Sequence, residues 1–274
     1  MLSEIEDVVR LTELSLNSEM EVLEALNAEA GKQGKKHKVI LMADLGDLRE
    51  GFWDKEEMTE AAVKVEKELE HLELAGVGTN VGCYGSILAT EEKLDELVAV
   101  AEQIEGRIGR QLELISGGAT SSFMRVIDGD IPERVNFLRI GEGILLARDL
   151  ELFYGYDMSE MHQDVYTLKA EVIEVKDKPS HPVGEIAVDA FGHTPEYVDR
   201  GIRRRALLAI GKVDYGSIDE IFPQDEGVEI LGASSDHTIL DIEDAKRDFK
   251  VGDIVSFGIN YASVVYVTNC RNVQ

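Results

Sequence analysis

From Leu14 onward the chain repeats one unit: a short apolar run, a loop with glycine or polar residues, then a longer segment whose apolar residues recur at helical spacing. Residues 14–16, 37–45, 72–77, 112–115 and 135–140 read as strands. Residues 19–32, 56–69 and 91–108 read as helices, with Met20, Val22, Leu23 and Leu26 on one face of the first. Ser3 followed by Glu6 has the form of a capping box for a short opening helix. Strands separated by helices pair in parallel, and polar clusters at their carboxyl ends place an active face there. Closure of a TIM (β/α) barrel takes about eight such units. The expectation is therefore an α/β chain whose first part is an incomplete TIM barrel.

Two of the loops are rich in glycine. The fourth strand empties into SGGATSS and the fifth into RIGEGI. Glycine lets the backbone turn its N–H groups toward an anion, and a following helix start adds partial positive charge. Both loops therefore suit a phosphate-bearing cofactor at the carboxyl ends of two barrel strands; as ordinary turns they need no ligand at all.

The pattern changes after Tyr154. Residues 166–176 alternate as a strand, Pro179 and Pro182 mark a turn, and residues 205–213, 228–232, 237–242 and 253–267 continue as strand-like runs, with a turn at Val251 to Asp253. The expected division is a partial barrel over residues 1–158 and an all-β C-terminal domain over 159–274. The 54 acidic residues against 28 basic ones give a formal charge of −26, a surface that repels nucleic acid and anionic membranes. The two cysteines, Cys83 and Cys270, have no metal-ligand spacing, and His37, His71, His162, His181 and His193 are scattered. With no leader and no apolar run near the roughly 20 residues of a membrane span, a reducing cytoplasm is the expected setting.

Six stretches carry a resemblance: VILMADLGDLREG, GVGTN, FLRIGEGIL, TLKAEVIEV, LLAIGKVDYG and SSDHTILDI. In their order they span nearly the whole chain, and the chain is similar to the alanine/ornithine racemase family of fold-type III pyridoxal-phosphate enzymes, with the ornithine racemase branch nearer. The resemblance implies a TIM barrel with a β domain, pyridoxal 5'-phosphate as cofactor, a homodimer, and alanine, ornithine or a similar basic amino acid as substrate. In that family a lysine after the first barrel strand holds the cofactor and acts as one base. The expectation is that this sequence lacks the first three strand–helix units and that lysine. The alternative is a non-catalytic fragment or interaction subunit.

The resemblance also assigns residues. Arg49 matches an arginine near the cofactor's phenolic oxygen, or is a loop arginine in salt contact with Asp47 or Glu50. Arg139 matches the arginine facing the pyridine nitrogen, where a cation keeps the nitrogen unprotonated and suits racemisation over transamination; paired with Glu142 it would be structural. Asn80 stands where the family has a histidine beside the ring, or caps a loop. Ser116 with Gly117, Gly141 with Glu142, and Tyr261 match the phosphate site, although Tyr261 could equally be a core aromatic of the β domain. For the second base, a tyrosine after an Ile-Gly pair that the family supplies across the dimer interface, the sequence has Lys212 after Ile210 and Gly211, which could instead be a solvated strand-end lysine, with Asp214 and Tyr215 nearby. Asp236 matches an acidic residue of the other interface loop, and His237 beside it is a contact for a substrate carboxylate or a turn residue.

Overall fold

A computed structural model of the chain describes every residue except 189–191, 193 and 195; His193 lies outside the described residues. The chain divides into two compact units, Met1–Ile144 with Leu152–Tyr156, and Leu145–Glu151 with Asp157–Gln274.

In the first unit, after α1 (Ile5–Leu11), strands β1 (Leu14–Asn17), β2 (His37–Ala43), β3 (Leu72–Thr79) and β4 (Leu114–Ser116) alternate with helices α2 (Met20–Lys32), α3 (Lys55–Glu68) and α4 (Glu91–Ile108), and α5 (Thr120–Asp128) follows β4. The sheet is parallel throughout, in the order β1-β2-β3-β4. Helix ends are set locally. The Asp54 side chain accepts from the N–H groups of Glu56 and Glu57, Thr90 accepts from Lys93, and Gly109 ends α4 in the left-handed conformation. The expected capping box at Ser3 does not form, because a 3-10 turn over Leu2–Glu4 makes Glu4 the residue that precedes α1.

Each strand has two faces with different partners. Val39, Leu41, Leu72, Leu74, Val77 and Ile115 pack with Leu23, Leu26, Met58, Val65, Leu94 and Leu97 of the helices in one apolar cluster. Ile40, Met42, Gly78 and Ser116 meet on the opposite face: a Cβ on Gly78 would lie 3.1 Å from Met42 Sδ, 3.1 Å from Ser116 Cβ and 3.3 Å from Ile40 Cγ2. The β2–β3 register runs Val39 to Leu74 and then Ile40 to Gly76, so Ala75 is an extra residue in β3.

The fifth strand expected over residues 135–140 reduces to one bridge, Phe137 with Ser116. Asn136 explains the loss. Its Oδ1 accepts from Ile115 N at 2.9 Å and its Nδ2 donates to Glu113 O at 2.9 Å, so a side chain occupies the ladder that a backbone would have made.

The second unit begins within α6 (Glu142–Leu145) and α7 (Asp149–Tyr154) and builds an antiparallel sheet in the order β7-β10-β5-β6-β9-β8. Its strands are β5 (Leu168–Pro179), β6 (Ile202–Leu208), β7 (Ile221–Pro223), β8 (Glu229–Ala233), β9 (Thr238–Asp241) and β10 (Ile254–Ile259). Leu168, Ala170, Val172, Leu208, Leu240, Val255 and Phe257 fill its core. Two runs expected as strand are helical at their ends: α8 (Lys212–Tyr215) follows β6, and α9 (Tyr261–Val267) follows β10. β-branched residues make 253–267 look extended by propensity, yet Asn260 turns the chain and Val264 packs its apolar side into the same core.

Gly76 marks where the parallel sheet is tightest, since a Cβ there would stand 1.9 Å from Leu114 O. Gly76→Ala therefore has to push β4 from β3. The expected cost is at least about 2 kcal/mol, read as a lower urea midpoint with unchanged m-value.

Candidate active site

The loop after β2 folds back on the strand it leaves. Asp44 N donates to Phe52 O at 3.1 Å and Phe52 N to Met42 O at 2.8 Å. Gly51 makes the return possible: its φ is +128°, and a Cβ would lie 2.4 Å from Asp44 N. Lys55 closes the base, its Nζ donating to the carbonyls of Asp44 at 2.6 Å, Trp53 at 2.7 Å and Phe52 at 3.0 Å; burial lowers its pKa. Asp44 Oδ1 accepts from Gly46 N at 2.8 Å and Leu48 N at 3.1 Å. Asp47, only 1% exposed, accepts from Cys83 N at 3.1 Å and Ile87 N at 3.3 Å, fastening this loop to the one after β3. Burial opposes the Asp47 carboxylate, but the N–H groups of that turn outweigh it and hold its pKa below the ordinary aspartate range.

This loop presents Arg49 and Glu50. Arg49 Nη2 donates to Glu50 Oε1 at 2.6 Å, its Nε donates to Glu50 Oε2, and its Nη1 lies 2.7 Å from Cys83 Sγ. Asn80, directly after β3, donates its Nδ2 to Glu50 and accepts at Oδ1 from Arg139 Nη2. Arg139 completes the group, donating to Thr79 O at 2.9 Å through Nη2 and to Ser116 Oγ through Nη1. Its backbone is fixed as well, with Arg139 N donating to Gly118 O at 2.9 Å. Burial pulls the Arg139 pKa down, Glu50 opposes that, and Arg49 adds to it; Glu50 is itself lowered, chiefly by Arg49. Four of the residues expected from sequence, Arg49, Asn80, Ser116 and Arg139, thus form one hydrogen-bonded group at the carboxyl ends of β2, β3 and β4. Of the two roles open to Arg49 and Arg139, the ion pair of Arg49 with Glu50 is present, and Arg139 spends its hydrogen bonds on Ser116, Thr79 and Asn80.

The two glycine loops come together beside this group. Gly143 N donates to Thr120 Oγ1 at 3.1 Å, joining the start of α6 to the start of α5. The α5 N-terminus follows Gly117 and Gly118 directly, its N-cap is Ala119, and no side chain caps it. Gly118 has φ +118° and Ser122 Oγ donates to Gly117 O at 2.7 Å, which holds the turn open. Gly141 has open space where a Cβ would stand, while Glu142 is buried. Uncapped helix N–H groups after a glycine turn, with a buried serine and an arginine alongside, are a donor set that fits a phosphate.

In the second unit Lys212 opens α8, with its N donating to Ser234 O at 2.9 Å and Val213 N to Ser235 O at 3.0 Å. Gly211 lies so close to the facing loop that a Cβ would be 2.3 Å from Ser235 O and 2.4 Å from Asp236 N. Lys212 and Asp236 are therefore neighbours across two touching loops. Asp214 is buried and accepts from Gly211 N at 2.9 Å, while Tyr215 is a core residue bonded to Thr238 Oγ1 at 2.7 Å, burial raising its pKa. His237 is an exposed turn residue whose N donates to Ser234 Oγ at 3.1 Å. Tyr261 begins α9 and is 47% exposed, which excludes the core-aromatic role. Sequence reading missed the central part played by Glu50, visible only as the acid next to Arg49, and it gave no sign of the Thr79 carbonyl, since backbone groups carry no residue signature.

Residues 2–149 match the family described as alanine racemase, N-terminal domain. An ornithine racemase of Acetoanaerobium sticklandii is 44% identical over 265 residues, covering 97% of this chain and 74% of that protein. A lysine racemase of Thermotoga maritima is 40% identical, covering 97% and 72%. Among solved structures, the alanine racemase from Streptomyces lavendulae superposes with a TM-score of 0.67 at 19% identity, over 96% of this chain and 67% of that one. An alanine racemase of Clostridium difficile gives 0.64 at 18% identity, over 98% and 69%; at such identity the likeness is one of fold.

Trp53, the one tryptophan of the chain, lies in the folded-back loop with Lys55 Nζ 5.5 Å from its ring, so its fluorescence reports this loop. Asp47 and Glu50 both titrate lower than in an unfolded chain, so their contribution to the loop is complete above the ordinary carboxylate value, about 3.9 for aspartate, and is lost as pH falls below it through their lowered folded-state values. Trp53 emission is expected to hold constant at neutral pH and change in that acid window, and Asp47→Asn to bring the change to neutral pH.

Proposed function

The chain belongs to the alanine racemase family, and on that premise we propose that it is a pyridoxal-phosphate-dependent amino-acid racemase whose substrate is a basic amino acid of the ornithine or lysine kind. The single observation that carries the reading is the Arg139 group, in which a half-buried guanidinium is aimed by Thr79, Asn80 and Ser116 beside an uncapped, glycine-led helix start. The identities of 44% and 40% to an ornithine and a lysine racemase support the substrate class, and alanine is the runner-up.

In this proposal Ser116, Gly117, Gly141 and the backbone of Glu142 hold the phosphate, and Arg49, Asn80 and Arg139 surround the ring; Tyr261 is the second unit's match to the family's phosphate-binding tyrosine. When bound, the cofactor supplies an electron sink that acidifies the substrate α-proton. Arg139 stays protonated, so it donates to a ring nitrogen without giving up a proton and limits how much charge that nitrogen takes. The family supplies its second base across the dimer interface, and at that position this sequence has Lys212, with Asp236 on the adjoining loop, as the proposed group that exchanges the proton at Cα on one face. A homodimer in the cytoplasm completes the proposal; no helix among the described residues is long and apolar enough to cross a membrane.

The test is racemisation of L-ornithine, L-lysine and L-alanine with added pyridoxal phosphate, followed by chiral chromatography, alongside absorption titration of the cofactor. Ornithine or lysine is expected to turn over faster than alanine. Arg139→Gln is expected to lower the rate on the order of a hundredfold, the size of losing one oriented donor in a dry site. No lysine of this sequence matches the one that holds the cofactor in the family, so the reading is sunk when the chain binds the cofactor and neither racemises nor exchanges the α-proton of any of the three amino acids.

A further inference from the structure

Resting on that reading of the site, we infer that Glu50 is its positioning residue: one carboxylate that fixes the Arg49 guanidinium directly and the Arg139 guanidinium through the Asn80 amide. The two arginines otherwise share no partner. Arg49 donates to both oxygens of Glu50, and Asn80 Nδ2 donates to the Oε1 oxygen that Arg49 Nη2 also reaches. The oxygen of the same Asn80 amide accepts from Arg139. An amide is the group this place needs, because it donates toward an anion and accepts from a cation at the same time. The chain of contacts is cation, anion, dipole, cation. It links the loop after β2 to the end of β3 and to the segment that follows β4.

Charge gives the second reason. Arg49 disfavours the charged form of Arg139 and Glu50 favours it, so the carboxylate offsets the repulsion of two like charges at one site. With Glu50 the group carries one net positive charge; without it, two. The side chain of Glu50 remains about one-third exposed, and Arg49 nearly half exposed, so solvent can reach the pair and its orientation depends on being bonded at both ends. In the proposal Glu50 touches neither cofactor nor substrate and acts entirely through the two arginines.

Cys83 offers a readout that needs no cofactor. Its thiol is exposed and lies 2.7 Å from Arg49 Nη1, on the side of the guanidinium that Glu50 does not occupy. An alkylating reagent reaches this thiol, and its rate of attack reports the charge and position of the guanidinium beside it. The experiment follows iodoacetamide labelling of the Cys83 peptide by mass spectrometry, at one pH, in the full chain and in Glu50→Gln, Arg49→Gln and the double variant. Glu50→Gln leaves the Arg49 charge un-neutralised beside the thiol, so labelling is expected to accelerate about threefold or more, and the acceleration is expected to vanish in the Arg49→Gln background. An equal acceleration in both backgrounds, or none in either, overturns the inference.

A second measurement reads the Asn80 limb in the same proteins. Glu50→Gln is expected to weaken pyridoxal phosphate binding about tenfold and to change the pH dependence of the bound cofactor's absorption, with urea stability close to that of the unchanged chain. Unchanged affinity and spectrum in Glu50→Gln overturn the link to Arg139. Failure of the unchanged chain to bind the cofactor at all overturns the functional proposal instead, and the thiol cycle still decides the role of Glu50.

Discussion

The guanidinium of Arg139 is where the first unit's architecture and its chemistry meet. A planar cation that is half-buried must have its N–H groups met by fixed acceptors, and here they are a carbonyl at the end of β3, a hydroxyl at the end of β4 and an amide one residue beyond β3. Each acceptor is useful only if its strand ends at the right height. The strand lengths, the close approach at Gly76 and the replacement of a fifth strand by the Asn136 side chain all serve that placement, because Asn136 brings residues 137–139 alongside β4 without continuing the sheet.

The loop after β2 supplies the opposite charge, and it is rigid for reasons that lie in its own sequence. ADLGDLREGFWDK places Asp44 to cap one turn, Asp47 to hold the neighbouring loop, Gly51 to reverse the chain and Lys55 to take up three carbonyls. Leu45 and Phe52 anchor the loop in the apolar cluster of the unit. The segment between them is ordered by ionised groups meeting backbone dipoles, so it is expected to be firm at neutral pH and to loosen in acid or high salt before the core of the unit does.

Much of this was legible in the sequence. Apolar periodicity located β1 to β4 and α2 to α4 within two or three residues, and Glu91–Ile108 matches to its ends, where the structure has a Thr90 cap and a left-handed Gly109. The resemblance singled out Arg49, Asn80, Ser116 and Arg139, which the fold then gathers. The failures have physical causes. Residues 135–140 and 253–267 are apolar and β-branched, and propensity cannot see that Asn136 will occupy a ladder or that Asn260 will turn the chain into α9. The part played by Glu50 was hidden because an acid beside an arginine is the commonest of surface pairs; its second bond, to Asn80, joins residues thirty positions apart.

The extra residue in β3 has a consequence for the site that side-chain alternation makes plain. Leu72 and Leu74 face the helices, and after the bulge at Ala75 it is Val77 that faces them, so the parity of the strand has changed from even to odd. Gly78, and with it Asn80, therefore falls on the side where Met42 and Ser116 lie. In an unbulged strand of the same length Asn80 would point among the helices, and Arg139 and Glu50 would face each other with nothing to carry one's orientation to the other. Whether this chain has a working site is in that sense a question of odd or even, decided by one alanine outside the site's hydrogen-bonded group.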